Sequence, residues 1–272
     1  MTADISRQAY YKSCQKHIVT EHNNTKVLEL ALEVRVKHPK MSCKKIYHLI
    51  SNKIKFFGIK MGRDKFISLM VKSGYTVPRK RRYKHNSIEE TKKIYHPNLI
   101  KHLEIKAADQ VWVNDITYIT TSQGFLYLSL VTDVYTRYII GYALGDDLST
   151  KYCMEALQMA INTTKSSNEV IHHSDRGTQY SSDVFNKFLN ENHISGSMTK
   201  GGSPQENAIA ERINGILKEE YGISDKYITK KQCHKLVEEV INLYNTERPH
   251  LSLGMQTPLE YYTNYYKNLQ QN

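Results

Sequence analysis

The chain has 272 residues, of which 40% are hydrophobic and 24% are charged, so it can bury a core of one large domain or two smaller ones and is neither disordered nor a coiled coil. No stretch approaches the roughly 20 apolar residues of a membrane span, and the N-terminus lacks the apolar segment of a signal peptide, so we expect a cytoplasmic protein with no membrane partner. The four cysteines lie far apart without C-x-x-C spacing, which favours reduced thiols over disulfides or a zinc site.

The formal net charge of +11 is concentrated in the N-terminal part of the chain. Residues 1–106 have 24 Lys and Arg against 8 Asp and Glu, a net of +16, whereas residues 107–272 have 14 against 19, a net of −5. This asymmetry predicts a polyanion-binding region joined to a domain of a different kind, with nucleic acid as the favoured partner. A solvated basic surface is the alternative interpretation.

The basic N-terminal region, residues 1–75, is predicted to be a small all-α domain. Residues 1–24 are polar and predict a short helix or a disordered tail, and three amphipathic helices follow, the first from Thr25 and the third ending near Gly74. Short helices with tight connections indicate a helix-turn-helix module, with a generic helical bundle as the alternative. Residues 76–106 are predicted to be a basic linker, whose run of cations is expected to contact DNA phosphates. These cations are Arg79, Lys80, Arg81 and Arg82.

From residue 107 onward, strands and helices alternate. Runs of β-branched and aromatic residues predict strands over 111–120, 125–134, 138–144, 170–174 and 194–198. Helices are predicted over 150–164, 182–192 and 231–244. The order predicts an α/β fold, a mixed five-stranded sheet with flanking helices over residues 107–265, followed by a tail over residues 266–272.

The segment from Ser203 to Tyr221 predicts a further helix. Ser203 suits the N-cap of a helix, and Glu206 completes an S-x-x-E capping box. At about 100° per residue, three polar side chains fall within about 40° of one another on one face of this helix. They are Asn207, Glu211 and Lys218.

Three acidic residues occupy informative places. Asp115 interrupts an apolar strand, Asp175 follows the fourth strand, and Glu211 lies on the polar helix face, with 35 residues between the second and third. Each alone could be structural, but three carboxylates in one place repel one another unless cations bind between them. Hard divalent cations prefer such oxygen ligands, and two of them can clamp a phosphodiester during in-line displacement. Asp133, at the end of the second strand, could support this site.

Several other residues near these acids have two interpretations each. His172 and His173 precede Asp175 and could orient substrate, although buried structural histidines are the commoner case. Arg176 could contact a phosphate or form a surface salt bridge. Trp112 is expected to pack in the core.

Four strings carry a specific resemblance. VWVNDITYI, HHSDRGTQYSS, NAIAERINGILKEE and YNTERPHLSLGMQTPLEY together resemble the integrase-core (DDE) transposases, in particular the second-reading-frame (OrfB) product of the IS-three insertion-sequence family. The resemblance implies a ribonuclease H-like core and a transposase that cleaves DNA and transfers the strand by attack of a 3′-OH. It also implies that Asp115, Asp175 and Glu211 bind Mg²⁺ or Mn²⁺, two ions, with Asp115 between them.

The resemblance extends to the partners and the DNA contacts. It implies double-stranded DNA as substrate, at the transposon ends and at the target, a homo-oligomer on that DNA, and a fusion or partner from an upstream reading frame, in a bacterial cytosol. The residues expected to contact DNA in the core are Lys218, Asn207, Arg176 and Lys200. The arginine, proline and histidine at 248–250 are a family marker for which packing is the expected role.

Two alternatives remain open from the residues alone. A catalytically inactive DNA-binding regulator derived from a transposase would need only the basic N-terminal region. A ribonuclease H-type nuclease without strand transfer would need the acids, but the predicted helix-turn-helix arm disfavours it.

Overall fold

The computed structural model describes residues 6–77, 94–166, 169–200 and 207–271, and the chain divides into two units, residues 1–83 and 84–272. Within those ranges, none of the helices combines the length and the apolar character that crossing a membrane requires.

In its described part, residues 6–77, the first unit contains three helices. They are α1 (Arg7–Lys37), α2 (Cys43–Phe56) and α3 (Arg63–Lys72). The second half of α1 packs against the other two through buried apolar side chains such as Leu30, Ile46 and Phe66. The N-terminal region is therefore all-helical, as the sequence predicts.

Helix α1 is longer than the sequence predicts. It starts at Arg7 rather than Thr25, and the Ser6 hydroxyl caps it by accepting a hydrogen bond from the Ala9 N–H at 3.2 Å. Residues 7–19 of this helix are almost entirely exposed. They have no apolar periodicity for a core, so their helical state leaves no amphipathic pattern in the sequence.

The second unit is built on the predicted five-stranded sheet. The strands are β1 (Val111–Thr121), β2 (Gly124–Asp133), β3 (Ile139–Gly145), β4 (Val170–Ser174) and β5 (Ile194–Met198). Their order is β3-β2-β1-β4-β5, with β1, β2 and β3 antiparallel and with β4 and β5 parallel to β1. The ribonuclease H-like mixed sheet is thus confirmed.

Helices cover both faces of this sheet. They are α4 (Thr150–Thr163), α5 (Asp183–Glu191), α6 (Ala208–Gly215), α7 (Lys230–Thr246) and α8 (Pro258–Gln271). Helices α4, α5 and α8 share one hydrophobic cluster with Trp112, and α6 and α7 share another with Ile119. Helix α4 approaches the sheet so closely that a Cβ on Gly141 would lie 2.1 Å from the Ala156 carbonyl oxygen.

Two predicted boundaries differ in the second unit. Residues 94–106, predicted as linker, belong to this unit, because Ile100, Leu103 and Ile105 pack against buried side chains of β1 and α6. Most of the predicted tail 266–272 is the last part of α8. Both segments pack apolar or aromatic side chains against the core, but these residues are too widely spaced to give a recognisable helix or strand pattern in the sequence.

Candidate active site

The register of two parallel strands brings two of the predicted acids together. Val113 on β1 is the partner of His173 on β4. Two residues further along, Asp115 and Asp175 occupy neighbouring positions at the carboxyl end of β4. The Asp175 carboxylate is one of the charges that raise the pKa of Asp115, so the two side chains lie close enough to interact.

Asp115 is held in a half-buried position by two hydrogen bonds. Its Oδ1 accepts the Ile116 N–H at 3.0 Å, and its Oδ2 accepts the side-chain N–H of Asn214 at 2.8 Å. The pKa of Asp115 is raised to about 7, mainly by burial and also by the carboxylates of Asp175 and Glu211, while the hydrogen bonds from Asn214 and Ile116 act to lower it. Both of the other predicted acids therefore act electrostatically on Asp115.

Helix α6 presents Glu211 to solvent above the same end of the sheet. The helix is fixed by Ala210, which packs with Val113, and by Ile213, which packs with the second hydrophobic cluster. Within the described residues, the helix runs from Ala208 with Asn207 as its N-cap. The predicted capping residues Ser203 and Glu206 lie outside the described residues.

Asn214 was not predicted as a site residue. It follows Glu211 by three positions, which places both on the same side of α6. Its side chain is 5% exposed, and its Oδ1 has no hydrogen-bond partner within the described ranges. The signal in the sequence that points to Asn214 is its i, i+3 spacing from Glu211.

The carboxylates are adjacent without forming a closed cluster. Across residues 6–77, 94–166, 169–200 and 207–271, no group of three or more His, Cys, Asp and Glu side chains is gathered closely enough to hold a metal ion. Asp175 is exposed, and its Oδ1 accepts the Gly177 N–H at 2.9 Å. The three side chains offer only carboxylate oxygens, which suit a hard divalent cation. Such a cation would relieve the repulsion by Asp175 and Glu211, which adds to the larger effect of burial on the pKa of Asp115.

A π-helical segment, Ile216–Glu220, continues directly from α6. It replaces the single regular helix that the sequence predicts, so Lys218 is not placed by α-helical periodicity. The Lys218 Nζ lies 4.2 Å from the centre of the Tyr118 ring on β1. Burial lowers the pKa of Lys218, and the charge of Asp115 acts in the opposite direction, so this ammonium group is within electrostatic reach of the site.

The other predicted DNA-contacting residues have different surroundings. Asn207 is buried at the start of α6, and its Oδ1 has no hydrogen-bond partner in the described chain. Arg176 donates from Nε to the Thr199 carbonyl at 2.9 Å, and its guanidinium group stacks on Tyr95 at 4.9 Å. Lys200 is exposed. The basic run from Arg79 to Arg82 lies outside the described residues.

Behind the acids, a buried polar layer supports the strands. His172 packs between the Tyr180 and Phe185 rings, and burial lowers its pKa to about 3. The His173 Nδ1 lies 2.9 Å from the Ser197 hydroxyl. Both histidines are buried, as the structural interpretation expects. Tyr180, which the sequence did not single out, donates to the Asn114 side chain at 2.9 Å.

Asp133 does not touch the three acids. Its carboxyl group accepts the Asp109 N–H at 2.9 Å and both the N–H and the hydroxyl of Thr136, at 2.7 and 2.5 Å. It therefore shapes the turn after β2 rather than supporting the candidate site.

Asp109 lies at the centre of a buried hydrogen-bond network, which the sequence does not predict. It has a left-handed backbone, with φ of 58°, and is fully buried just before β1. Its carboxyl oxygens accept hydrogen bonds from four side chains, each at 2.7 or 2.8 Å. The donors are Trp112, Thr164, Tyr262 and Tyr266. Helix α8 is thereby fastened to the start of the first strand.

The family marker at 248–250 also has a structural explanation. Arg248 is buried and forms an ion pair with Glu220, with Nη2 at 2.8 Å from Oε2. Its Nη1 lies 2.8 Å from the His250 ring. Since Glu220 ends the π-helical segment, Arg248 anchors the segment that carries Lys218.

The sequence of this chain is similar to those of several known proteins. Two sequence profiles described as "Integrase core domain" match residues 106–204 and 192–258. The chain is 29% identical to the "Insertion element IS600 uncharacterized 31 kDa protein" of Shigella sonnei over 97% of both chains. It is 30% identical to a candidate transposase for insertion sequence element IS986/IS6110 of Mycobacterium tuberculosis, over 78% of this chain and 79% of that protein. It is 33% identical to transposase InsF for insertion sequence IS3A of Escherichia coli, over 56% of this chain and 54% of that protein.

Proposed function

Because this chain belongs to the insertion-sequence transposases with an integrase core domain, we propose that Asp115, Asp175 and Glu211 form the centre at which it cleaves and joins DNA. The observation that carries the proposal is the strand register that places Asp115 beside Asp175, together with the effect of Glu211 on the pKa of Asp115. A structural role for these acids would not require three like charges to act on one another at one end of the sheet.

The reaction is two successive phosphoryl transfers. In the first, water attacks the phosphodiester at a transposon end, which leaves a free 3′-OH on the element and a 5′-phosphate on the flanking strand. In the second, this 3′-OH attacks a target phosphodiester and displaces the target's own 3′-oxygen. Two bound divalent cations, Mg²⁺ or Mn²⁺, would supply activation of the nucleophile and charge stabilisation at the phosphate.

The residues of the chain orient this chemistry. The Asn214 side chain and the Ile116 N–H fix the two oxygens of Asp115, and the Gly177 N–H fixes one oxygen of Asp175. Glu211, exposed on α6, supplies the third carboxylate. Lys218 supplies a positive charge next to the carboxylates, where a DNA phosphate would lie.

The remaining DNA contacts form a second part of the proposal. The three-helix unit binds DNA as a helix-turn-helix module through α3, which exposes Lys65 and Ser68. The basic run from Arg79 to Arg82 follows the phosphate backbone, and Arg176 and Lys200 contact the strand near the acids. Asn207, buried at the start of α6, orders the site beside the same DNA. The chain acts as a homo-oligomer on double-stranded DNA, with a fusion or partner from an upstream reading frame.

The decisive test is Glu211→Gln, which removes a negative charge without changing the size of the side chain. With Mg²⁺ or Mn²⁺ and a duplex copied from an end of the insertion sequence, we expect cleavage and strand transfer to be lost while DNA binding survives. The binding of Mn²⁺, followed by calorimetry without DNA, should weaken in the same variant. That measurement does not depend on activity.

Glu219→Gln is the matched control, because Glu219 is an exposed glutamate on the adjoining π-helical segment. It should leave cleavage and Mn²⁺ binding unchanged. Normal cleavage by Glu211→Gln would refute the assignment. DNA binding without any metal-dependent cleavage by the unaltered chain would instead favour the inactive DNA-binding regulator.

A further inference from the structure

Two large aromatic side chains stand exposed next to the candidate active site. Tyr118, three residues after Asp115 on β1, is 58% exposed, and Phe125 on β2 is 51% exposed. The two rings meet edge to face, with their centres 5.8 Å apart. Such a pair stabilises a hairpin by a fraction of a kcal/mol, which explains the contact between the rings but not their shared exposure.

The edge of β1 is open where these rings lie. The pairing of β1 with β4 covers only Val111, Trp112 and Val113. Between Asp115 and Tyr118, no other described strand pairs with this edge. Successive side chains point to opposite faces of a strand, so Asp115 and Tyr118 flank the edge from its two sides.

Lys218 links the two sides of this edge. Its Nζ lies 4.2 Å from the centre of the Tyr118 ring, and the charge of Asp115 interacts with it electrostatically. The lysine lies over one face of the ring, and Tyr118 is nevertheless 58% exposed to solvent. A cation and an open aromatic face are the two groups that hold single-stranded nucleic acid, one for the phosphate and the other for the base.

We propose that Tyr118, backed by Phe125 and with Lys218 over its inner face, stacks against an unpaired base of the DNA strand that enters the active site. The inference rests on the proposed function, since it takes the scissile phosphate to lie at Asp115. Three residues of strand span about 10 Å, and stacked nucleotides rise about 3.4 Å each, so the base lies within about three nucleotides of that phosphate. Stacking tolerates any base, so this contact opens the strand end without reading its sequence.

The test uses Tyr118→Ala, Tyr118→Phe and a control, Tyr227→Ala. Tyr227 is also exposed, with the Lys226 Nζ 5.1 Å from its ring centre, but its neighbour Ile228 contacts Ser122 at the far end of the β1–β2 hairpin. The probe is a duplex with an unpaired terminal nucleotide that carries the fluorescent base 2-aminopurine. A second duplex has an abasic site at the same position. Binding is measured in EDTA, so that no strand is cut.

We expect the unaltered chain to quench 2-aminopurine and to bind the intact end about tenfold more tightly than the abasic end. Tyr118→Ala should lose that preference, binding both duplexes with the affinity of the abasic one. Tyr118→Phe should keep it within about twofold, because the ring remains, and Tyr227→Ala should keep it fully. The fluorescence of Trp112 confirms that each variant is folded.

Equal losses of affinity for intact and abasic ends in Tyr118→Ala, or no quenching by the unaltered chain, would overturn the stacking inference. A parallel cleavage assay with Mg²⁺ separates this from the proposed function. Cleavage without base-dependent binding would refute the stacking inference alone. Base-dependent binding without cleavage would refute the proposed catalytic function and support the stacking inference.

Discussion

The ion pair between Arg248 and Glu220 makes the sharpest prediction about stability. Arg248 is 2% exposed, and its Nε lies 3.3 Å from both carboxylate oxygens of Glu220, while Nη2 lies 2.8 Å from Oε2. The Glu220 side chain is 13% exposed, so it has little access to water. Arg248→Met keeps the apolar stem of the side chain but removes its charge and its donors.

The magnitude follows from the charge that remains. Breaking a buried pair by removing one partner costs about 3–5 kcal/mol, because the other charge stays buried and uncompensated. Since Glu220 retains some exposure, we expect Arg248→Met to cost about 3 kcal/mol. Adding Glu220→Gln removes the orphaned charge, so the double variant should recover about 2 kcal/mol of that loss.

Urea unfolding followed by the fluorescence of Trp112 is the suitable assay. Trp112 is the single tryptophan of the chain and lies buried on β1, so its signal reports the second unit and not the three-helix unit. Lys230→Met is the matched control, because the Lys230–Asp146 pair is exposed, with Nζ 2.5 Å from Oδ1. Its removal should leave the midpoint of unfolding nearly unchanged.

Two outcomes would refute this reasoning. A loss below about 1 kcal/mol in Arg248→Met would mean that water reaches Glu220 and that the pair behaves as a surface ion pair. Additive losses in the double variant would mean that the two side chains stabilise the fold independently.

Three further predictions concern single residues. Asn214→Ala should weaken Mn²⁺ binding about 10–100-fold, by calorimetry, because Asp115 loses the donor that orients it, and unchanged binding would contradict that role. Tyr262→Phe should lower the free energy of unfolding in urea by about 1–2 kcal/mol, because a 2.7 Å hydrogen bond to the buried Asp109 is lost. An unfolding midpoint equal to that of the unaltered chain would show that this hydrogen bond does not stabilise the fold. Burial raises the pKa of Asp133 to about 7, so the folded state binds a proton more readily than the unfolded state does. Its contribution to the unfolding free energy is therefore full below about pH 4 and is lost as the pH rises through about 7, a few kcal/mol in all. Asp133→Asn should flatten that dependence, and an unaltered pH profile would exclude Asp133 as its source.

The sheet could be predicted almost completely from the sequence. β4 and β5 match their predicted ranges, and β1 ends one residue later than predicted. β2 is shifted by one residue towards the N-terminus and β3 by one residue towards the C-terminus. Buried strands concentrate β-branched and aromatic residues between turn residues, so they leave a strong local signal. Asp115 stood out for the same reason, as a charge in an otherwise apolar strand.

Features that depend on distant partners could not be predicted. In the sequence, Asn214 is an ordinary polar residue of a predicted helix, and only the fold shows its contact with Asp115. Asp109 precedes β1, and no residue near it in the sequence, apart from Trp112, belongs to its four donors. The π-helical segment has no residue pattern of its own, so a regular helix was expected through Lys218. The sequence does not predict the N-terminal extension of helix α1, because residues 7–19 bury no face.

The hydrogen bonds to Asp109 also bear on the order in which the chain is made. The residue lies just before the first strand of the sheet, yet two of its four donors, Tyr262 and Tyr266, come 153 and 157 residues later. A nascent chain on the ribosome can pair all five strands while this buried carboxyl group still lacks half of its donors. The second unit therefore reaches its final stability only after synthesis of α8, so translation that stops before α8 leaves a sheet whose buried Asp109 has two of its four side-chain donors.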